Sequence, residues 1–313
     1  MSRVTRADVV RTAQRVEPHV RRTPVLRLEA EALQTPAPVD AKLESLQVTG
    51  TFKARGAFAL LLERSVPPAG VVAASGGNYG LAMAYAARRL GRAMTVFVPE
   101  AAPAVKVDGI RAQHATVELV PGPPARAFEA AERHAETTGA LLGHPYDLPE
   151  IVAGAGTCGL ELAEQRPDLD TILVAVGGGG LIGGIATALP EATRVVAVET
   201  EGTPTLHAAR AAGGPIEVEA AGIGSSALGA PRLGELAWEI TQRRVHDSLL
   251  VSDEDVVAAQ RRLWRTARLV TEPGGAVAVA ALTSGAYRPG PEERVAVVVC
   301  GANTDPGSVA AAS

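Results

Sequence analysis

Short apolar runs alternate with segments in which apolar residues return every three or four positions, the pattern of buried strands followed by amphipathic helices. Thr5-Arg6-Ala7-Asp8 has the form of a capping box, and Val9, Ala13, Val16 and Val20 follow at helical spacing. Just after Pro24, the chain around Val25-Leu26 reads as extended. Val71–Ala74 reads as a buried strand, Ser75-Gly76-Gly77-Asn78 as a turn, and Gly80–Leu90 as a helix ending at Gly91. Strands over Met94–Val98 and Thr116–Val120 flank a helix over residues 104–113. Another helix over residues 125–138 stops at Gly139, a residue suited to a C-terminal cap. A second series begins near Ile151, with a helix over Gly159–Gln165, a strand over Thr171–Val176, four glycines and a helix through Ala188. Arg194–Glu199 and Arg294–Val299 read as strands, and Ser252-Asp253-Glu254-Asp255 caps a helix between them. Such alternation predicts parallel α/β sheets.

Composition narrows the picture. A chain of 313 residues exceeds what one core comfortably serves and predicts two lobes. With 3% aromatic residues it is poorly supplied for stacking nucleic-acid bases, and a net charge of -4 gives no basic field for polyphosphates. No nucleic-acid partner is therefore expected. Cys158 and Cys300 allow at most one bridge, so a reducing cytoplasm is the expected setting. The N-terminal residues Met1–Arg6 lead into an amphipathic segment rather than a signal core. Thr171–Leu189 is uncharged and about long enough to span a bilayer, but its six glycines fit a strand, turn and helix start better. No membrane span is expected.

Four segments could carry chemistry. Of 30 basic residues only three are lysines (Lys42, Lys53 and Lys106), so any chemistry that needs an amine has three candidates. Lys53 stands among small and apolar residues in Gly50-Thr51-Phe52-Lys53-Ala54-Arg55-Gly56, where desolvation would free its amine. Taken alone it also reads as a lysine at a helix start with its ammonium in water. The turn Ser75-Gly76-Gly77-Asn78-Tyr79 offers helix-start amides to an anion such as a carboxylate. An ordinary strand-to-helix loop would look the same. Gly177-Gly178-Gly179-Gly180-Leu181 lets several amides wrap a phosphate, or lets a helix pack closely on a strand. It lacks the ending of a nucleotide P-loop. Cys300, at the carboxyl end of the last strand, lies where open α/β sheets face ligands, or is a buried structural thiol.

In this order the four segments resemble the fold-type II pyridoxal-phosphate enzymes of the serine/threonine dehydratase and serine racemase family. Lys42, Glu44 and Gln47, His144-Pro145-Tyr146-Asp147, Gly154-Ala155-Gly156-Thr157 and Thr271-Glu272-Pro273-Gly274-Gly275-Ala276 extend the resemblance over about Val4 to Asp305. It implies a two-lobed, tryptophan synthase β-like α/β fold, each lobe an open, mostly parallel sheet flanked by helices. Residues 1–45 and 147–313 would form the larger, cofactor-binding lobe, and residues 46–146 a smaller one closing over substrate.

By the same resemblance pyridoxal 5'-phosphate is the cofactor and Lys53 its attachment and the catalytic base. Phe52 packs on its ring, Asn78 bonds its phenolic oxygen, Cys300 faces its pyridine nitrogen, and Gly177, Gly178, Gly179, Gly180 and Leu181 hold its phosphate. Ser75, Gly76, Gly77, Asn78 and Tyr79 bind the substrate carboxylate. A thiol leaves the pyridine nitrogen neutral, which weakens the electron sink and favours loss of a β-group. The implied activity is a dehydratase/ammonia-lyase taking an L-threonine- or L-serine-type substrate to a 2-oxo acid and ammonia. Racemisation, β-replacement, and elimination from another hydroxy amino acid such as 3-hydroxyaspartate stand as alternatives, and a non-catalytic cofactor carrier as a different class. A homodimer is also implied.

Three departures matter. Gly76 stands where the racemases carry a serine acid/base, which disfavours racemisation. Tyr79 replaces a commoner histidine and Leu81 a commoner polar residue, which opens the choice of substrate. Glu199 and Glu201 match part of a cation site, but Thr205 stands in an aspartate's place, so no tightly bound metal is expected. With Ser313 the last residue, a regulatory domain is not expected either.

Overall fold

The computed structural model describes residues 4–310, in which ten strands are shared between two sheets. Met1–Arg3, part of the expected lead-in to the first helix, and residues 311–313 lie outside the described residues. The strands are β1 (Val25–Leu28), β2 (Val39–Lys42), β3 (Val71–Ala74), β4 (Met94–Pro99), β5 (Thr116–Val120), β6 (Leu141–Gly143), β7 (Thr171–Ala175), β8 (Arg194–Thr200), β9 (Val245–Val251) and β10 (Val295–Val298). The larger sheet has the order β1-β2-β10-β7-β8-β9, with only the edge pair β1/β2 antiparallel. The smaller has the order β5-β4-β3-β6 and is wholly parallel. Its strands come from one continuous stretch, while the larger sheet draws on chain from both sides of it. The expected α/β class with helix-flanked parallel sheets is what the chain adopts.

Local rules account for many of the boundaries. Thr5 and Ser252 both form reciprocal capping boxes, with Asp8 and Asp255. Gly139 closes the helix Pro124–Thr138 at φ +73°. Strands β7 and β10 are buried along their whole length, which explains why they read as apolar runs rather than alternating ones. The stretch Thr171–Leu189 resolves into β7, a glycine loop and the helix Gly180–Ala188. Among the described residues no helix is long and apolar enough to cross a membrane.

Of the elements that depart from the sequence reading, two bear on the site. The helix expected over Gly159–Gln165 begins ten residues earlier, at Pro149. Glycines 154, 156 and 159 hid it, because they lower helix propensity. They serve packing instead. A Cβ on Gly154 would lie 2.6 Å from the Arg55 carbonyl oxygen, and one on Gly156 would lie 2.8 Å from that of Gly184. The second is β2, a central strand that the pattern did not suggest, since Val39-Asp40-Ala41-Lys42 carries two charges and all four residues are buried. Their partners lie far along the chain: Arg166 for Asp40, and Glu161 for Lys42.

Lys42 belongs to a buried polar cluster. Its ammonium donates to Glu161 at 2.6 Å, to the Thr23 carbonyl at 2.8 Å and to Gln165 at 3.0 Å. Arg55 donates through Nε and Nη2 to Glu44, through Nη1 and Nη2 to Glu161, and to the Thr157 hydroxyl at 3.0 Å. The side chains of Lys42, Glu44 and Arg55 are wholly inaccessible. Two cations face two carboxylates, so the cluster is neutral as a set. It joins β2, the helix Lys53–Glu63 and the helix Pro149–Gln165. Arg55→Ala strands Glu44 and Glu161 without their shared partner and should cost about 3–5 kcal/mol of folding stability, measured by denaturant unfolding. A loss within about 0.5 kcal/mol would remove the cluster from its structural role.

Candidate active site

The carboxyl ends of β7 and β10 open onto one cleft, as expected for parallel sheets. Past β10, the Phe52 amide donates to the Cys300 carbonyl at 3.1 Å, and the Ala302 amide donates to the Gly50 carbonyl at 2.9 Å. These bonds clip the Lys53 segment to the end of the sheet. Lys53 then opens the helix Lys53–Glu63, and its ammonium donates to the Pro145 carbonyl at 2.9 Å. The amine lies 5.1 Å from the Phe52 ring centroid and 5.9 Å from that of Tyr79. Burial brings its pKa down to about 8 despite the nearby Glu272 carboxyl. Of the three lysines, Lys42 is spent in the buried cluster, whereas Lys53 faces the cleft.

Past β7, Gly177, Gly178, Gly179 and Gly180 run into the helix Gly180–Ala188, whose first-turn amides have no carbonyl partner within the helix. Gly179 takes φ +87°, and a Cβ there would stand 2.4 Å from Ala237. A Cβ on Gly178 would lie 2.2 Å from the Tyr146 ring. The cradle exists because these side chains are missing.

Across the cleft, Ser75, Gly76 and Gly77 lead into the helix Asn78–Arg89, and the Ser75 hydroxyl accepts from the Gly77 amide at 3.2 Å. Asn78 projects toward the larger sheet, donating to Glu272 at 2.6 Å and accepting from Asn303 at 2.9 Å. Gly76 has no room for a side chain, since a Cβ would approach Ala102 to 2.8 Å and Val98 to 3.0 Å. Tyr79 turns its side chain into the core, with its hydroxyl against Gly143, and burial raises its pKa. Its amide remains at the helix start.

One cavity gathers Phe52, Lys53, Asn78, the four glycines, Leu181 and Cys300. Cys300 is buried, donates its thiol to the Gly274 carbonyl at 3.2 Å, and is kept protonated by burial. Ser75, Gly76, Gly77 and Tyr79 do not line that cavity. Tyr146 and Glu272 do, although neither was singled out as a site residue. Both stood inside recognisable motifs, but only tertiary contacts show their side chains facing the glycine loop and Asn78. Glu199 is committed elsewhere: it accepts from the amides of Leu206 and His207 at 2.7 and 2.8 Å, and from Thr205 and Ser248. Among the described residues no group of three His, Cys, Asp or Glu side chains could hold a metal ion.

The family model for pyridoxal-phosphate dependent enzymes matches residues 16–301. The chain belongs to that family. It is 38% identical to a phenylserine dehydratase of Ralstonia pickettii, an alignment covering 93% of this chain and 90% of the relative. It is 34% identical to an L-threonine ammonia-lyase of Thermotoga maritima, over 96% of this chain and 76% of that one. Maize serine racemase superposes with a TM-score of 0.93 at 30% identity, covering 99% of this chain and 97% of that structure.

As a pyridoxal-phosphate dependent enzyme, the chain has residues that fit the cofactor. The side-chain-free amide cradle suits its phosphate, the depressed amine of Lys53 suits attachment to its aldehyde, and the neutral thiol of Cys300 suits an uncharged pyridine nitrogen. Gly178→Ala should weaken cofactor binding by at least about tenfold, read by absorbance titration of the cofactor-free chain. Because only the neutral amine attacks the aldehyde, attachment should accelerate as pH rises through about 8 and level off above it. Rapid-mixing absorbance checks this; a rate still climbing steeply near pH 10 would contradict the depressed amine.

Proposed function

We propose that the chain is a lyase that removes water and then ammonia from a β-hydroxy amino acid of the L-threonine or L-serine type, leaving a 2-oxo acid. The observation that carries this reading is an amine in the cleft, Lys53, together with the lack of any acid/base side chain at position 76. Lys53 reaches the cleft with its pKa brought down to about 8, whereas Gly76, standing where the resemblance puts a racemase's serine, has neither a side chain nor space for one. A racemase needs a second acid/base to return the proton from the other face. An eliminating enzyme does not.

When bound, pyridoxal 5'-phosphate supplies a sink for the electron pair left at Cα. Lys53 would hold the cofactor, and its free amine would take the Cα proton. Gly177 to Gly180 and Leu181 would hold the phosphate, Phe52 would cover the ring, and Asn78 and Cys300 would meet its oxygen and nitrogen. The amides of Ser75 to Tyr79 bind the substrate carboxylate and orient the Cα–H bond toward Lys53. The β-hydroxyl departs as water, carrying the proton that Lys53 took from Cα, and water then hydrolyses the released enamine, through its imine form, to the 2-oxo acid and ammonia.

Residues 46–146 would close over the substrate as a lobe built on the smaller sheet, with 1–45 and 147–313 forming the other. The unpaired, buried Cys158 and Cys300 support a reducing, cytoplasmic setting. A homodimer is supported by the family resemblance.

The cofactor-loaded chain, given L-threonine, L-serine, L-threo-3-hydroxyaspartate and L-threo-phenylserine in turn, should form 2-oxo acid and ammonia from at least one. Lys53→Ala should lower that rate by at least about a thousandfold. Formation of 2-oxo acid from none of the four would overturn the reading, as would a product carrying added sulfide when serine and sulfide are supplied together.

A further inference from the structure

Glu272 is nearly inaccessible, yet its carboxyl has one hydrogen bond, from Asn78 to Oε1, and its Oε2 has no partner. A buried carboxyl so poorly satisfied costs stability and asks for another reason to exist. Among the described residues no cation is hydrogen-bonded to it. The charged or titratable groups acting on it are Lys53 and Lys106, and it in turn acts on the Cys300 thiol. It stands immediately before Pro273, at the N-terminal end of the helix Pro273–Thr283, in which every residue from Gly274 to Leu282 is buried.

The neighbouring amides form a directed chain. A side-chain amide has two hydrogens to donate and one oxygen to accept with. Asn303 spends both hydrogens, one on the Thr49 carbonyl at 3.0 Å and one on Asn78 Oδ1 at 2.9 Å. Asn78 must therefore present its oxygen to Asn303. That leaves its Nδ2 toward Glu272 at 2.6 Å, with a second N–H uncommitted at the cavity wall. Were the Asn78 amide flipped, two amino groups would meet at Asn303 and two acceptor oxygens would meet at Glu272. Both contacts are repulsive.

We propose that Glu272 is a positioning residue that, together with Asn303, locks the Asn78 amide so that an N–H faces the cofactor's ring oxygen. The inference rests on the reading of Asn78 as that oxygen's partner. It also gives the bond between Asn78 and Glu272 a second consequence. Asn78 begins a helix packed on the smaller sheet, whereas Asn303 follows β10 of the larger one and Glu272 precedes the helix Pro273–Thr283 packed against that sheet, so the lock spans the cleft. Burial lifts the Glu272 carboxyl to about 7, so its proton is gained or lost near neutrality and the lock is strongest when the carboxylate is bare.

Glu272→Leu and Glu272→Gln, reconstituted with pyridoxal 5'-phosphate and studied without substrate, test this. Glu272→Leu should bind the cofactor at least about tenfold more weakly and shift its absorption band, because the amide is freed. Glu272→Gln keeps an acceptor oxygen and should bind within about threefold of the unsubstituted chain. Its band should be constant from pH about 6 to about 8, where that of the unsubstituted chain changes. An unaltered affinity and band in Glu272→Leu would overturn the proposal. If that variant does not fold, the Gln variant decides: retention of the full pH dependence overturns it. These readouts precede turnover, so a chain that shows them yet makes no 2-oxo acid refutes the lyase reading alone. A chain that never forms the cofactor band refutes the reading of the site and this inference with it.

Discussion

Arg55 and Lys42, held against Glu44 and Glu161 inside the protein, join the larger sheet to the helix that delivers Lys53. Each charge alone would be prohibitively costly in that interior. As a neutral set with nearly every donor engaged, they become a rigid junction. Arg55 lies two residues beyond Lys53 on one helix, so fixing the guanidinium in three directions also fixes where the amine emerges. The backbone bonds from Phe52 to Cys300 and from Ala302 to Gly50 hold the other side of the same segment. Lys53 is thus placed by contacts that themselves take no part in its chemistry.

The glycines show a second constraint. At 154 and 156 the missing side chains let the helix Pro149–Gln165 press against the Arg55 segment and against the helix that follows the cradle. At 178 to 180 the same lack of bulk leaves backbone amides open to the cleft. Close packing and anion binding were alternative readings of the glycine loop in the sequence. In the fold the two are compatible, because the helix whose start offers the amides is the helix that packs tightly.

Inside the cleft, burial shifts two groups in opposite directions toward neutrality, lowering Lys53 and raising Glu272. Desolvation disfavours the charged form of each, and neither is relieved by a direct ion pair. This differs from the cluster around Arg55, where burial is offset by full pairing. The structure therefore separates buried charges that stabilise from buried groups left adjustable.

Much was legible in the residues themselves. Capping boxes, the apolar runs of β7 and β10, the four-glycine loop and the scarcity of lysine depend on short-range physics that leaves a mark on adjacent residues. The strand β2 and the first half of the helix Pro149–Gln165 left no such mark. Two charged residues spoil an apolar run unless their partners, 119 and 126 residues away, are known. Likewise nothing adjacent to Glu272 reveals that it meets Asn78, 194 positions earlier, or that Tyr146 covers Gly178. Sequence alone determined which groups could do chemistry, because that follows from side-chain type and local backbone freedom. Only the tertiary structure decided which of them face one another, because burial and pairing are properties of neighbours brought together by folding.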